Sequence, residues 1–288
     1  MAADWKKCWK RLKQLLKKKT VTKRVSEYKL KEMQSEIFKG QEGEPSLWLQ
    51  CNLDPKKTAA IINVQEQMIE TKAWKVLRGI SSEGPMCRLC GSYQETVHHI
   101  VAGCKILAGR EYLQRHNNAL MVLAIEWAKQ EELIDQQTVW FKEKWEQGTV
   151  LENEEAKLVW DFEYRVRKTN ESRRPDLVLE KKEDKVIWLC DMACPQERNI
   201  EAKSREKITK YQQLAYETRE KRKNYEVKVI PLIIGSLGGG VNAIQKNIEN
   251  ILKEKTAAVK IVKEMQKMVL MESESIVRKV ISGVIQAA

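Results

Sequence analysis

The segment CRLCGSYQETVHHIVAGC constrains this chain more than any other, because it sets out C-x2-C-x8-H-x4-C with Cys87, Cys90, His99 and Cys104. A close cysteine pair on a turn is the usual first half of a tetrahedral zinc site, and thiolates with imidazole suit that ion best. Gly91, directly after Cys90, lets the backbone fold over the metal. His99 and Cys104 can close the other half. Four protein ligands leave no open coordination position, so the expected site is structural rather than catalytic. His98 is the rival ligand, with a register one residue shorter. The bland alternative is three buried thiols beside a surface histidine pair, and four candidate ligands within 18 residues argue against it. Zinc knuckles often grip single-stranded nucleic acid, but many only staple a fold, and spacing does not separate the two.

The rest of the composition bounds the class. The chain has 288 residues, 42% of them hydrophobic, which is enough apolar material for a core and favours two domains. No apolar run approaches the roughly 20 residues of a membrane helix. The N-terminal lysines precede no apolar stretch of the kind a secretory signal needs. Cysteines number seven, and Cys8, Cys51, Cys190 and Cys194 lie scattered outside the cluster. That pattern suits a reducing compartment and a metal site rather than a disulfide framework. Net charge is +12, but residues 1–31 alone hold twelve Lys/Arg and two acids, and the other 257 residues only 40 against 38. The picture is a basic arm on a nearly neutral body. The arm, WKKCWKRLKQLLKKK, sets Trp5, Trp9, Leu12, Leu15 and Leu16 at helical spacing. It can meet nucleic-acid phosphates, serve as a nuclear import signal, lie on an anionic membrane, or pack its apolar stripe on the body.

The pattern along the chain predicts helix over 1–40, a break at GQEGEP, helix again over 56–79 and a loop into the cysteine cluster. Helices over 105–115 and 118–133 and a Trp-rich segment with Trp140 and Trp145 follow. The run EEAKLVWDFEYRVRK reads as a helix ending near Asn170. Two short strands, DLVLE and KVIWLCDMA, flank the charged turn KKEDK. A charged helix covers 201–222, and VKVIPLIIGS reads as a buried strand stopped by Gly238, Gly239 and Gly240. The last 48 residues read as one or two amphipathic helices. The expected class is α+β with an α/β core around a small mixed sheet. The expected divisions are a basic arm and helical linker at 1–80, the knuckle region at 81–120, a linker at 121–152, the sheet core at 153–240 and C-terminal helices at 241–288.

A second constellation sits on the two strands. Asp176 opens the first and Asp191 ends the second, and a hairpin folded about Glu183–Asp184 puts them directly opposite. Cross-strand partners have Cβ atoms about 4.5–5.5 Å apart, and two carboxylates that close repel unless a cation neutralises them. That is how Mg²⁺ is held for phosphodiester chemistry. Glu197 can supply a third acid. Lys203, Lys207 and Tyr211 lie in one row of the following helix. A lysine there can orient water and stabilise charge on phosphorus, with the tyrosine hydroxyl in support. The plain alternative is an aspartate capping a turn. Against it, RRPDLVL and IWLCDMA embed each acid beside apolar residues, where an unneeded carboxylate is costly.

The blocks LDPKKTAAIINVQEQMIETKAW, CRLCG…ETVHHIVAGC, LAGREYLQRHN, LVWDFEYRV, RRPDLVL…IWLCDMACPQERNI…KSREKITKYQQL and VIPLIIGSLGGG follow one another in order. Over roughly residues 45–285 this order resembles the C-terminal region of a LINE-like non-LTR retrotransposon polyprotein. The lineage it resembles carries a CCHC knuckle and a restriction-like endonuclease after its reverse transcriptase. The resemblance implies a PD-(D/E)xK restriction-endonuclease-like mixed sheet flanked by helices. It implies Asp176 and Asp191 as Mg²⁺ ligands, Lys207 and Tyr211 as a catalytic pair moved onto the helix, and Glu197 as a further acidic position. Ala193 stands where the related nuclease motif usually has its lysine. The implied activity is Mg²⁺-dependent nicking of target DNA to prime reverse transcription, in the nucleus, with element RNA a second candidate partner and no membrane. No YxDD-like polymerase motif occurs in the sequence, so reverse transcription is not expected of this chain, which reads as starting at or beyond the thumb. The competing expectation is a catalytically idle nucleic-acid-binding remnant, and a plainer one is a zinc-stapled interaction protein.

Overall fold

In the computed structural model, residues 46–138, 149–168, 171–252 and 254–286 are described. The helix expected over 1–40, with its basic arm, and the Trp140–Trp145 segment lie outside them.

Short, largely apolar runs between Val150 and Ile233 build a five-stranded mixed sheet. Its strands are β1 (Val150–Glu152), β2 (Ala156–Trp160), β5 (Leu177–Lys181), β6 (Val186–Ala193) and β7 (Glu226–Ile233), in that spatial order. Strands β3 (Tyr164–Arg165) and β4 (Ser172–Arg173) form a separate two-stranded ribbon. All neighbours in the main sheet are antiparallel except β6 and β7. A parallel pair needs a long crossover, and helix α5 (Ile200–Lys221) provides it.

The run EEAKLVWDFEYRVRK, expected as a helix, is β2 and β3 instead. Leu158, Val159 and Trp160 pair with Leu179, Val178 and Leu177 of β5. Phe162, Tyr164 and Val166 alternate with polar residues, a period of two that a helix would scatter around its surface. Asp161, in the left-handed region at φ 51°, separates the two strands. The β5–β6 hairpin matches expectation closely: Leu177 pairs with Cys190 and Lys181 with Val186. Continued by one step, that register sets Asp176 against Asp191.

The expected helix over 56–79 is interrupted. Helix α1 (Pro55–Gln65) starts on Asp54, which accepts from the Lys56 N–H at 2.9 Å, and α2 (Lys72–Leu77) follows a reversal at Gln67, φ 54°. Helix α3 (Val97–Ala102) lies in the cysteine–histidine segment. The helices expected over 105–115 and 118–133 are one, α4 (Leu113–Gln130), entered through a 3₁₀ turn and a π turn. The C-terminal stretch gives α6 (Val241–Glu249) and the long α7 (Lys255–Ile281).

Burial explains the layers. Leu158, Leu177, Leu179, Trp188 and Leu232 face a core shared with Leu123 and Trp127 of α4 and Val262 and Met265 of α7. On the other face Val178, Ile187 and Leu189 meet Tyr211, Leu214 and Ala215 of α5. Each such side chain contributes about 1.5–3 kcal/mol. A third cluster joins Cys87, Leu89, Ile100 and Cys104 to Ile276, Val277 and Val280 of α7. The cysteine–histidine segment therefore packs against α7, and α4 runs on from Leu113 to Gln130. Among the described residues no helix is long and apolar enough to cross a membrane.

Candidate functional site

Two clusters bring titratable side chains together. In the first, the ligand atoms of Cys87, Cys90, His99 and Cys104 all lie within 4.8 Å of one another. The local sequence makes this happen. A bridge between Met86 and Gln94, with the Cys87 N–H donating to the Tyr93 carbonyl at 2.7 Å, folds the segment into a tight loop. Gly91 takes φ 63° at its tip. Thr96 caps α3 by accepting from the His99 N–H at 3.1 Å, which brings His99 Nε2 to 3.3 Å from Cys90 Sγ. His98 turns the other way, its Nε2 2.8 Å from the Gln67 amide. The rival register is thus occupied by a different contact. Three soft thiols and one imidazole at this spacing can hold zinc with tetrahedral closure. Beneath the loop, the fully buried Glu95 accepts from Arg88 Nε (2.8 Å) and Nη2 (2.7 Å) and from the Lys72 and Arg88 backbone N–H groups, each at 3.0 Å. Arg88 also donates to the Val280 and Ile281 carbonyls, both at 3.2 Å, and so ties the loop to the end of α7.

The second cluster lies at the end of the hairpin. Alternation along the strands puts Asp176 and Asp191 on the face covered by α5, with Val178 and Leu189. Asp191 is buried, 1% exposed. Its Oδ2 faces the Lys207 ammonium. Its Oδ1 is 2.9 Å from the Tyr211 hydroxyl, which is also 2.7 Å from the Arg174 carbonyl and shares its one proton between the two acceptors. Asp176 accepts through Oδ2 from the Met192 N–H at 2.6 Å and from His116 Nε2 at 2.9 Å. Among the described residues its Oδ1 takes no hydrogen bond. The two acids are pushed apart in acidity. Burial would raise Asp176, but the His116 hydrogen bond and charge outweigh it and hold the carboxyl below its ordinary value. Asp191 is raised, first by burial and then by the Asp176 charge, against the pull of Lys207. Two carboxyls packed this closely split in acidity, one becoming easier and the other harder to ionise.

His116 has no counterpart in the expected residue set. It reaches Asp176 from α4, 60 residues away. The only signal for it was its presence in the block LAGREYLQRHN.

Two other expected residues point elsewhere. Lys203 forms an ion pair with Glu206 on its own helix at 2.8 Å. Glu197 is buried against the glycine turn after β7, accepting from the Leu237 N–H at 2.6 Å and leaving no room for a Cβ on Gly235. Its Oε2 is buried without a hydrogen bond. Burial pushes its carboxyl up to about 7 against the pull of that N–H. A cleft of about 400 Å³ lies past the end of β6, lined by Ala193, Cys194, Gln196, Asn199 and Lys203 and by Ala102 of α3, and neither aspartate lines it. Comparison with protein-family models and with curated proteins finds no match for this chain.

Proposed function

We propose that this chain is the metal-dependent DNA endonuclease portion of a non-LTR retrotransposon protein, of the restriction-like PD-(D/E)xK kind. In this reading it nicks target DNA so that the freed 3′-hydroxyl primes reverse transcription elsewhere. The observation that carries the reading is the pairing of Asp176 with Asp191 in hairpin register, with Lys207 on the inner acid. The donor set fits Mg²⁺: all-oxygen, doubly acidic, with Asp176 Oδ1 uncommitted and its side chain 19% exposed. When bound, such an ion polarises a phosphoryl oxygen and lowers the pKa of bound water. Asp176 and Asp191 would hold it. Lys207 neutralises Asp191 at rest and supplies positive charge to a phosphate drawn into the site. Tyr211 keeps the Asp191 carboxylate from rotating. The Cys87–Cys90–His99–Cys104 cluster serves as a zinc staple for the adjoining layer.

A nucleic-acid-binding remnant without turnover is the second reading. One observation favours it: Asp191 is buried and already satisfied by Lys207 and Tyr211. An end-labelled duplex incubated with the full chain and Mg²⁺ separates the readings. Nuclease action gives a nicked strand whose 3′ end an added polymerase extends, and Asp176→Ala abolishes it. Salt-sensitive retention of DNA with no cut strand would leave the second reading.

A further inference from the structure

Helix α4 begins with side chains that reach in different directions. Arg115, almost fully buried, donates to the Val101 carbonyl (2.7 Å), the Ser273 hydroxyl (2.9 Å) and the Cys194 carbonyl (3.3 Å). Tyr112, just before the helix, lies 2.7 Å from the Ile100 carbonyl and accepts from the Cys104 N–H at 3.1 Å. The start of α4 is therefore fastened both to the helix carrying His99 and to the backbone of Cys104.

His116, next to Arg115, leaves the same turn toward the acid pair. Its Nε2 lies 2.9 Å from Asp176 Oδ2, and an ionised carboxylate only accepts, so Nε2 carries the hydrogen. The other ring nitrogen is 2.9 Å from Asn117 Oδ1, which also only accepts, so Nδ1 donates as well and the protonated ring is held from both sides. The Met192 N–H holds the same carboxylate oxygen from β6. Two donors on Oδ2 fix the plane of the carboxylate and leave Oδ1 presented in one direction. Hydrogen bonds behind a ligand typically tune metal affinity by about 10–100-fold.

We propose that His116 is a positioning residue for the acid pair. From a helix fastened to the cysteine–histidine cluster, it holds Asp176 so that Oδ1 faces a divalent cation. The inference rests on the nuclease reading, because it needs a cation at Asp176 and Asp191. It also makes the acid pair depend mechanically on a cluster that otherwise only staples the fold.

The test is Mn²⁺ titration of the full chain followed by electron paramagnetic resonance, without DNA. Wild type should bind Mn²⁺, and Asp176→Ala should lose it. His116→Ala should bind roughly 10–100-fold more weakly. His116→Gln, whose side-chain N–H can reach the same oxygen, should recover most of the loss. Zinc content and far-UV circular dichroism should match wild type in both histidine variants, which separates positioning from misfolding. Affinity in His116→Ala equal to or above wild type would overturn the inference and leave the nuclease reading standing, as would a glutamine variant as weak as alanine. Absence of Asp176-dependent Mn²⁺ binding in wild type would remove the nuclease reading itself, and this inference with it.

Discussion

Glu197 holds an acid in the interior with one oxygen bonded and the other bare. Its folded value of about 7 lies above its ordinary 4.5. Between those values the folded protein keeps a proton that the unfolded chain releases, so its contribution is fullest below 4.5 and is lost as pH rises through 7. Glu197→Gln should flatten this fall and stabilise the chain at pH 8 by at most about 3 kcal/mol, read from urea unfolding at pH 5 and pH 8. A variant with the same pH slope as wild type would contradict the assignment. Tyr211 is a residue of the opposite kind, fully satisfied and 0% exposed. Tyr211→Phe leaves Asp191 Oδ1 and the Arg174 carbonyl competing for no donor, at a cost of about 1–3 kcal/mol by the same unfolding measurement. At this scale the sequence was legible where spacing dictates geometry. His99 over His98 follows from the turn of α3 that aims one ring at Cys90 and the other at Gln67. His116 was not legible, because nothing local in the sequence says that a helix turn will end opposite a strand 60 residues later.

At the scale of elements, the hairpin and the cysteine loop show why some segments read correctly. DLVLE and KVIWLCDMA are short, largely apolar and split by a charged turn, and the pairing that follows is the one their symmetry requires. EEAKLVWDFEYRVRK misleads because its Glu and Lys content favours helix, while pairing with β5 and burial of Leu158 against Leu179 decide for strand. The break between α1 and α2 comes from a left-handed Gln67 that carries no glycine or proline signal. In the cysteine loop, the buried Glu95 holds two turns and an arginine together. Glu95→Ala should cost about 3 kcal/mol, because it strands Arg88 and two backbone N–H groups. The same variant should lower the zinc content of the purified chain, measured by atomic absorption. Undiminished stability and zinc content would show that the loop is held by the cluster alone.

At the scale of the whole molecule, buried clusters are shared between segments distant in sequence. The cysteine loop packs on α7, α4 packs on both the loop and the sheet, and the acid pair joins one aspartate just before β5, one from β6, a lysine from α5 and a histidine from α4. The α+β class and the mixed sheet were legible because they depend on local period and turn chemistry. The merging of layers was not, since it depends on which buried faces meet. The basic arm lies outside the described residues. The central claim is nuclease chemistry at the hairpin, and supercoiled plasmid tests it most directly. Wild type, Asp176→Ala and Lys207→Ala are incubated side by side at low salt with Mg²⁺ and run on an agarose gel. The account predicts relaxed circles from wild type alone, with both variants slower by at least about 100-fold, the scale expected when a charge-stabilising group is removed. No relaxed circles from wild type, or equal nicking by all three proteins, would contradict it.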